Sequence, residues 1–121
     1  MSSQMARHIL VVEDDASVLK SISRYLRLLG FEVSEARTAG EGIAMLCQHE
    51  IMVIDLNLSD GSAAVVLQRI HDENRRVRTA IWTTTPELAA VGKFAALKPD
   101  AVFHKMEINE LLAWIGTAER F

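Results

Sequence analysis

"HILVVEDD", residues 8–15, runs apolar from Ile9 to Val12 and then breaks into three consecutive acids. A short, unbroken apolar run rich in β-branched residues reads as a strand buried on both faces, the kind a parallel sheet requires. The next residues set the beat. Asp15-Ala16-Ser17 supplies helix caps, and Val18, Ile22, Leu26 and Leu29 recur at helical spacing with Lys20, Arg24 and Arg27 between them, until Gly30 stops the helix.

Outward from there the alternation repeats. Phe31 to Ala36 predicts a second strand, Thr38 caps a helix through Gln48, and Ile51 to Ile54 is a third apolar strand. A helix from about Ser62 to Asn74, a strand at Thr79 to Trp82, a helix opening at Pro86, a strand at Ala101 to His104 and a last helix carrying Ile108, Leu111, Leu112 and Ile115 complete the chain. Five buried strands alternating with five helices predict an α/β fold: a doubly wound parallel sheet covered on both faces, because right-handed crossovers lay each helix over the sheet.

Composition fits one such domain. The chain has 121 residues, 50% of them hydrophobic and 24% charged, enough for one compact core. The net charge of -3 is spread over mixed signs, so no basic field points to nucleic acid or an anionic membrane. The cluster Arg75, Arg76 and Arg78 reads as a solvated loop. Cys47 is a single cysteine, which excludes an internal disulfide, and no apolar stretch can span a bilayer or precede a cleavage site, which predicts a cytoplasmic protein. Four histidines, at 8, 49, 71 and 104, lack a ligand spacing for structural zinc.

Chemistry gathers at the strand ends. In open α/β sheets, ligands bind beyond the carboxyl ends of the strands, where strand order reverses. The first strand runs into Glu13-Asp14-Asp15, and the third, in "VIDLNLSDG" (residues 53–61), runs into Asp55. With the order 2-1-3-4-5 these strands are neighbours and their acids converge. Two carboxylates about 4 Å apart repel by roughly 4 kcal/mol at an effective dielectric near 20, so the cluster calls for a cation. Hard, closely spaced oxygens suit Mg²⁺. Helix capping accounts for Asp15 but not for Asp14 together with Asp55. Thr83, Thr84 and Thr85 after the fourth strand and Lys105 after the fifth bring hydroxyls and an ammonium to the same rim.

This pattern resembles the receiver domain of two-component response regulators (CheY-like), from His8 to about Ile115. The likeness is carried by "ILVVEDD", "VIDLNLSDG", the threonine after strand four and the "FHK" that ends strand five. It implies a flavodoxin-like fold over residues 8–121, behind a flexible N-terminus at 1–7. It also implies a phosphoacceptor that promotes its own phosphorylation and dephosphorylation, taking the phosphoryl group from a sensor histidine kinase or phosphotransfer protein. Position by position, Asp55 would be the acceptor. Asp14 would bind Mg²⁺ directly, Glu13 through water and Asn57 through its carbonyl, with Asp55 completing the metal site. Thr83 would be the hydroxyl partner, with Thr84 the fallback, and Lys105 the cation.

Three positions depart from the family pattern. Ser59 stands for a frequent proline. Met106 stands for the proline that usually follows the lysine through a cis bond, which predicts a trans linkage and a less rigid Lys105. Val102 stands where an aromatic side chain usually follows phosphorylation, and Phe103 points to the other face. A protein-interaction module that works unphosphorylated is therefore the alternative. A haloacid dehalogenase type hydrolase would need an acid where Asn57 stands, and Gly40-Glu41-Gly42 lacks the setting of a phosphate loop. The output is expected through a downstream partner, a homodimer or a domain beyond Phe121.

Overall fold

The computed structural model describes residues 7–46, 49–58, 63–73 and 76–118. Strands β1 (His8–Val12), β2 (Glu32–Ala36), β3 (Ile51–Ile54), β4 (Arg78–Thr83) and β5 (Ala101–His104) form one parallel sheet in the order β2-β1-β3-β4-β5. Helices α1 (Ala16–Leu28), α2 (Ala39–Met45), α3 (Ala63–Asp72), α4 (Gly92–Leu97) and α5 (Ile108–Ala118) make the crossovers, with a 3-10 turn, Pro86–Ala90, before α4. The expected doubly wound, flavodoxin-like fold is the one observed.

The period of two along each strand sorts the core into two layers. Ile9, Val11, Val53, Ala80 and Trp82 face α1 and α5, where they meet Leu19, Ile22, Leu26, Leu111 and Ile115. Leu10, Val12, Met52, Ile54 and Ile81 face the other way, toward Ala39, Leu46, Ala63, Val66 and Leu67. β1, β3 and the centre of β4 are buried on both faces, which is why their sequences show no polar alternation. At the edge, β5 is only partly covered.

Several boundaries differ from the sequence reading. Leu29 is the C-cap of α1 and 59% exposed rather than part of its buried stripe, while Leu19 and Ser23 are buried in its place. The helix expected to open at Pro86 is two pieces. Val91 is extended and Gly92 has φ +59°, so the 3-10 turn ends before α4 begins. β4 is one residue longer at each end than expected. Arg7, expected in a loose N-terminus, pairs with Glu50 at 2.9 Å and accepts from the Glu32 N–H through its carbonyl. Residues 1–6, Cys47, Gln48, Ser59, Asp60, Gly61, Ser62, Asn74, Arg75 and residues 119–121 lie outside the described residues. Among the described residues no helix is long and apolar enough to cross a membrane.

Candidate functional site

Backbone pairing that overruns the strands builds the rim. The Glu13 N–H donates to Ala36 O at 2.9 Å, Asp55 N–H to Val12 O at 3.1 Å and Lys105 N–H to Thr83 O at 2.8 Å. Each functional residue is thus the first beyond a strand, and each is pinned to the neighbouring strand. β1 lies between β2 and β3, so the strand order reverses there, and the acids of β1 and β3 meet at that point. Carboxylate oxygens of Glu13, Asp14 and Asp55 all lie within 4.8 Å of one another.

The consecutive acids do different work. Asp15 N-caps α1, its carboxylate accepting from Ser17 N–H at 3.0 Å, Val18 N–H at 3.2 Å and the Ser17 hydroxyl at 2.8 Å. These bonds, the Ser17 hydroxyl first, hold the Asp15 carboxyl below the usual range. Glu13 is 2% exposed, and burial pushes its carboxyl above the usual range, although the Lys105 ammonium and the Asp15 N–H favour the charged form. Arg37 donates to Asp14 O at 3.2 Å, which steadies the turn between β1 and α1.

Lys105 reaches inward from β5. Its ammonium bonds Glu13 Oε1 and lies 3.3 Å from Asp55 Oδ2. It also stands 4.7 Å from the centroid of the Trp82 ring. No cis peptide occurs among the described residues, so the Lys105–Met106 linkage is trans, as the sequence predicts. The Asn57 N–H donates to Asp55 Oδ1 at 3.1 Å, and its side-chain amide lies 3.5 Å from the Thr83 hydroxyl. That hydroxyl also accepts from Thr85 N–H at 3.2 Å and lies 3.3 Å from the Thr85 hydroxyl. Thr83 is fully buried, whereas Thr84 is exposed on the cleft.

Glu13, Asp14, Asp55, Asn57 and Lys105 open on one cleft of about 580 Å³. A second cleft of about 270 Å³, near the start of β4, has Asp100 as its one lining carboxylate. The chemistry sits in the first. His49, meanwhile, lies away from the acids, its ring nitrogens 2.7 Å from Met45 O and 2.8 Å from Ser34 Oγ. Three hard carboxylates with oxygens within 4.8 Å of one another suit a small divalent cation, to which Glu13, Asp14 and Asp55 would be drawn in.

The chain matches the family "Response regulator receiver domain" over residues 9–115. It belongs to that family. This receiver is 34% identical over 79 residues to the acid tolerance regulatory protein ActR of Rhizobium meliloti, a match covering 64% of this chain and 41% of that protein. It is 32% identical over 84 residues to the sensor histidine kinase AtsR of Burkholderia thailandensis, covering 68% of this chain and 12% of that protein. The receiver thus spans less than half the length of either relative. Its fold superposes on a CheY-like response regulator receiver domain protein from Methanospirillum hungatei with a TM-score of 0.82 at 25% identity, covering 96% of this chain and 95% of that one.

Of the residues that the sequence points to, Glu13, Asp14, Asp55, Asn57 and Lys105 line the cleft; Thr83 does not line it, its buried hydroxyl lying against Asn57 and Thr85, while the fallback Thr84 does. The sequence reading missed Trp82. The signal was available in the strand parity: Trp82 lies opposite Phe103, so Lys105, two residues on, falls diagonal to it on the same face.

Proposed function

We propose that this receiver is a Mg²⁺-dependent phosphoacceptor in a two-component pathway, with Asp55 the residue that is phosphorylated. The observation that carries the reading is the convergence of Glu13, Asp14 and Asp55 within 4.8 Å, with the Lys105 ammonium bonded to Glu13 and 3.3 Å from Asp55. Such a constellation gathers fixed positive and negative charge around one carboxylate oxygen, as phosphoryl transfer needs.

In the transfer, an Asp55 oxygen forms the O–P bond as the P–N bond of a donor phosphohistidine breaks; the imidazole keeps the electron pair and takes a proton from solvent. Asp14 and Asp55, with Glu13 through water and Asn57 through its carbonyl, would hold Mg²⁺, which would supply positive charge against the transferring phosphoryl oxygens. Lys105 offsets charge on the same group. Thr83 supplies the hydroxyl partner once it turns from Asn57 and Thr85; Thr84, on the cleft wall, is the second choice. The donor is a sensor histidine kinase or phosphotransfer protein, and the receiver promotes its own phosphorylation and dephosphorylation.

The experiment is intact-mass spectrometry after incubation with acetyl phosphate. Wild type gains one phosphoryl group with Mg²⁺ and none with a chelator, and Asp55→Asn gains none. Phosphate on Asp55→Asn, or none on the wild type with Mg²⁺, refutes the assignment. The second reading, an interaction module that works unphosphorylated, draws on the exposed aliphatic Val102. An unmodified wild type favours it.

A further inference from the structure

Trp82 and Lys105 differ in freedom. The indole is 6% exposed and packed in the layer that includes Val11, Leu111 and Ile115, so its ring is fixed. Lys105 carries its charge on a flexible four-carbon stem. Its ammonium has two kinds of partner: the carboxylates of Glu13 and Asp55, and the indole face at 4.7 Å, within the roughly 6 Å range of cation–π attraction. A divalent cation held by the acids would compete for those carboxylates and repel the ammonium. It does not take the ring, because Mg²⁺ is bound by oxygen.

Packing alone does not account for the tryptophan. The buried Nε1 of Trp82 has no hydrogen-bond partner among the described residues. An unpaired buried donor is destabilising, and leucine would fill an apolar position without it.

We propose that Trp82 is the positioning residue for Lys105: its indole face keeps the ammonium at the rim, beside Asp55, when a metal ion has claimed the carboxylates. The proposal rests on the reading of Asp55 as phosphoacceptor and gives the tryptophan a part in the same reaction. Trp82 touches no phosphoryl oxygen; it acts through the lysine.

The test uses the whole chain. Its two tryptophans allow Trp114→Phe to leave Trp82 as the single tryptophan, excited apart from Tyr25 at the red edge of the absorption band. In that background Lys105→Met shifts the Trp82 emission both in chelator and in saturating Mg²⁺, since a charge beside the ring is lost in both. A shift in chelator but not in Mg²⁺ shows the ammonium leaving the ring when metal binds, and overturns the proposal. With acetyl phosphate and saturating Mg²⁺, Trp82→Leu is phosphorylated roughly tenfold more slowly than wild type at unchanged Mg²⁺ affinity. Trp82→Phe, which keeps a ring face, recovers most of the rate. A leucine variant as fast as wild type, or a phenylalanine variant as slow as the leucine one, also overturns it. If Trp82→Leu does not fold, the emission comparison still decides. A wild type that takes up no phosphate refutes the phosphoacceptor reading, while the emission comparison continues to judge the Trp82–Lys105 contact.

Discussion

Asp14 and Asp15 are neighbours in sequence and opposites in use. Asp15 has given its carboxylate to the first turn of α1, whereas an Asp14 carboxylate oxygen lies within 4.8 Å of those of Glu13 and Asp55. Asp14→Ala should therefore weaken Mg²⁺ binding far more than Asp15→Ala in titration calorimetry; equal losses would put the acids out of register. Asp15→Ala should instead lower Tm. The folded Asp15 carboxyl titrates below its unfolded value, so its stabilisation is present above about pH 3.9 and disappears as pH falls through the folded value. Melting curves of wild type and Asp15→Ala should separate at pH 7 and converge in acid. Glu13 has the opposite sign, since burial raises its carboxyl and ionisation costs stability as pH rises toward that raised value. Glu13→Gln keeps the shape and an acceptor oxygen for Lys105. It should hold or raise Tm at pH 7 while Mg²⁺ affinity falls, and a large drop in Tm would show that the Lys105 bond outweighs the desolvation.

At the scale of elements, the strands were legible because burial on both faces leaves an unbroken apolar run, as in "ILVV" and "IMVI". Much of the site was legible because Glu13, Asp55 and Lys105 are each the first residue past a strand. Helix faces and ends were harder. Carrying the three-and-four spacing of Val18, Ile22 and Leu26 on to Leu29 placed it inside, but α1 stops one residue earlier and Leu29 turns outward. Its stop is a Schellman arrangement: Gly30 N–H donates to Arg27 O at 3.0 Å and Phe31 N–H to Leu26 O at 3.1 Å, with Gly30 at φ +98°. Gly30→Ala should cost about 1 kcal/mol in denaturant melts, from backbone strain alone, because nothing lies within 4 Å of an added Cβ. α4 ends on the same left-handed geometry without a glycine, Lys98 having φ 51°. Lys98→Gly should accordingly stabilise by up to about 1 kcal/mol. No change, or a loss, would mean that the lysine side chain compensates for its backbone.

Across the whole molecule, the proposed phosphorylation of Asp55 raises the question of how the added charge would reach the face formed by α4, β5 and α5. Thr83 and Lys105 belong to or follow the last two strands, so their movement toward new phosphoryl oxygens would pull on β4 and β5 through charge-assisted hydrogen bonds. Val102 sits on that route, paired with Ile81, and is 37% exposed on the edge strand. It has no ring to swing, and Phe103 is engaged on the opposite face against Trp114, at 6.4 Å between centroids. A modification shifts a two-state equilibrium only as far as it interacts differently with the two states. Without an aromatic side chain that changes place, one differential contact is missing, and the shift should be partial. Amide NMR spectra with and without beryllofluoride, a phosphoryl mimic, measure it in wild type and in Val102→Tyr. Wild type should show averaged or doubled resonances along α4, β5 and α5, and the tyrosine variant should move them further toward a single second state. Full conversion of the wild type, with nothing added by tyrosine, would mean that the backbone of β4 and β5 carries the signal unaided. Val102 would then be an ordinary edge-strand residue.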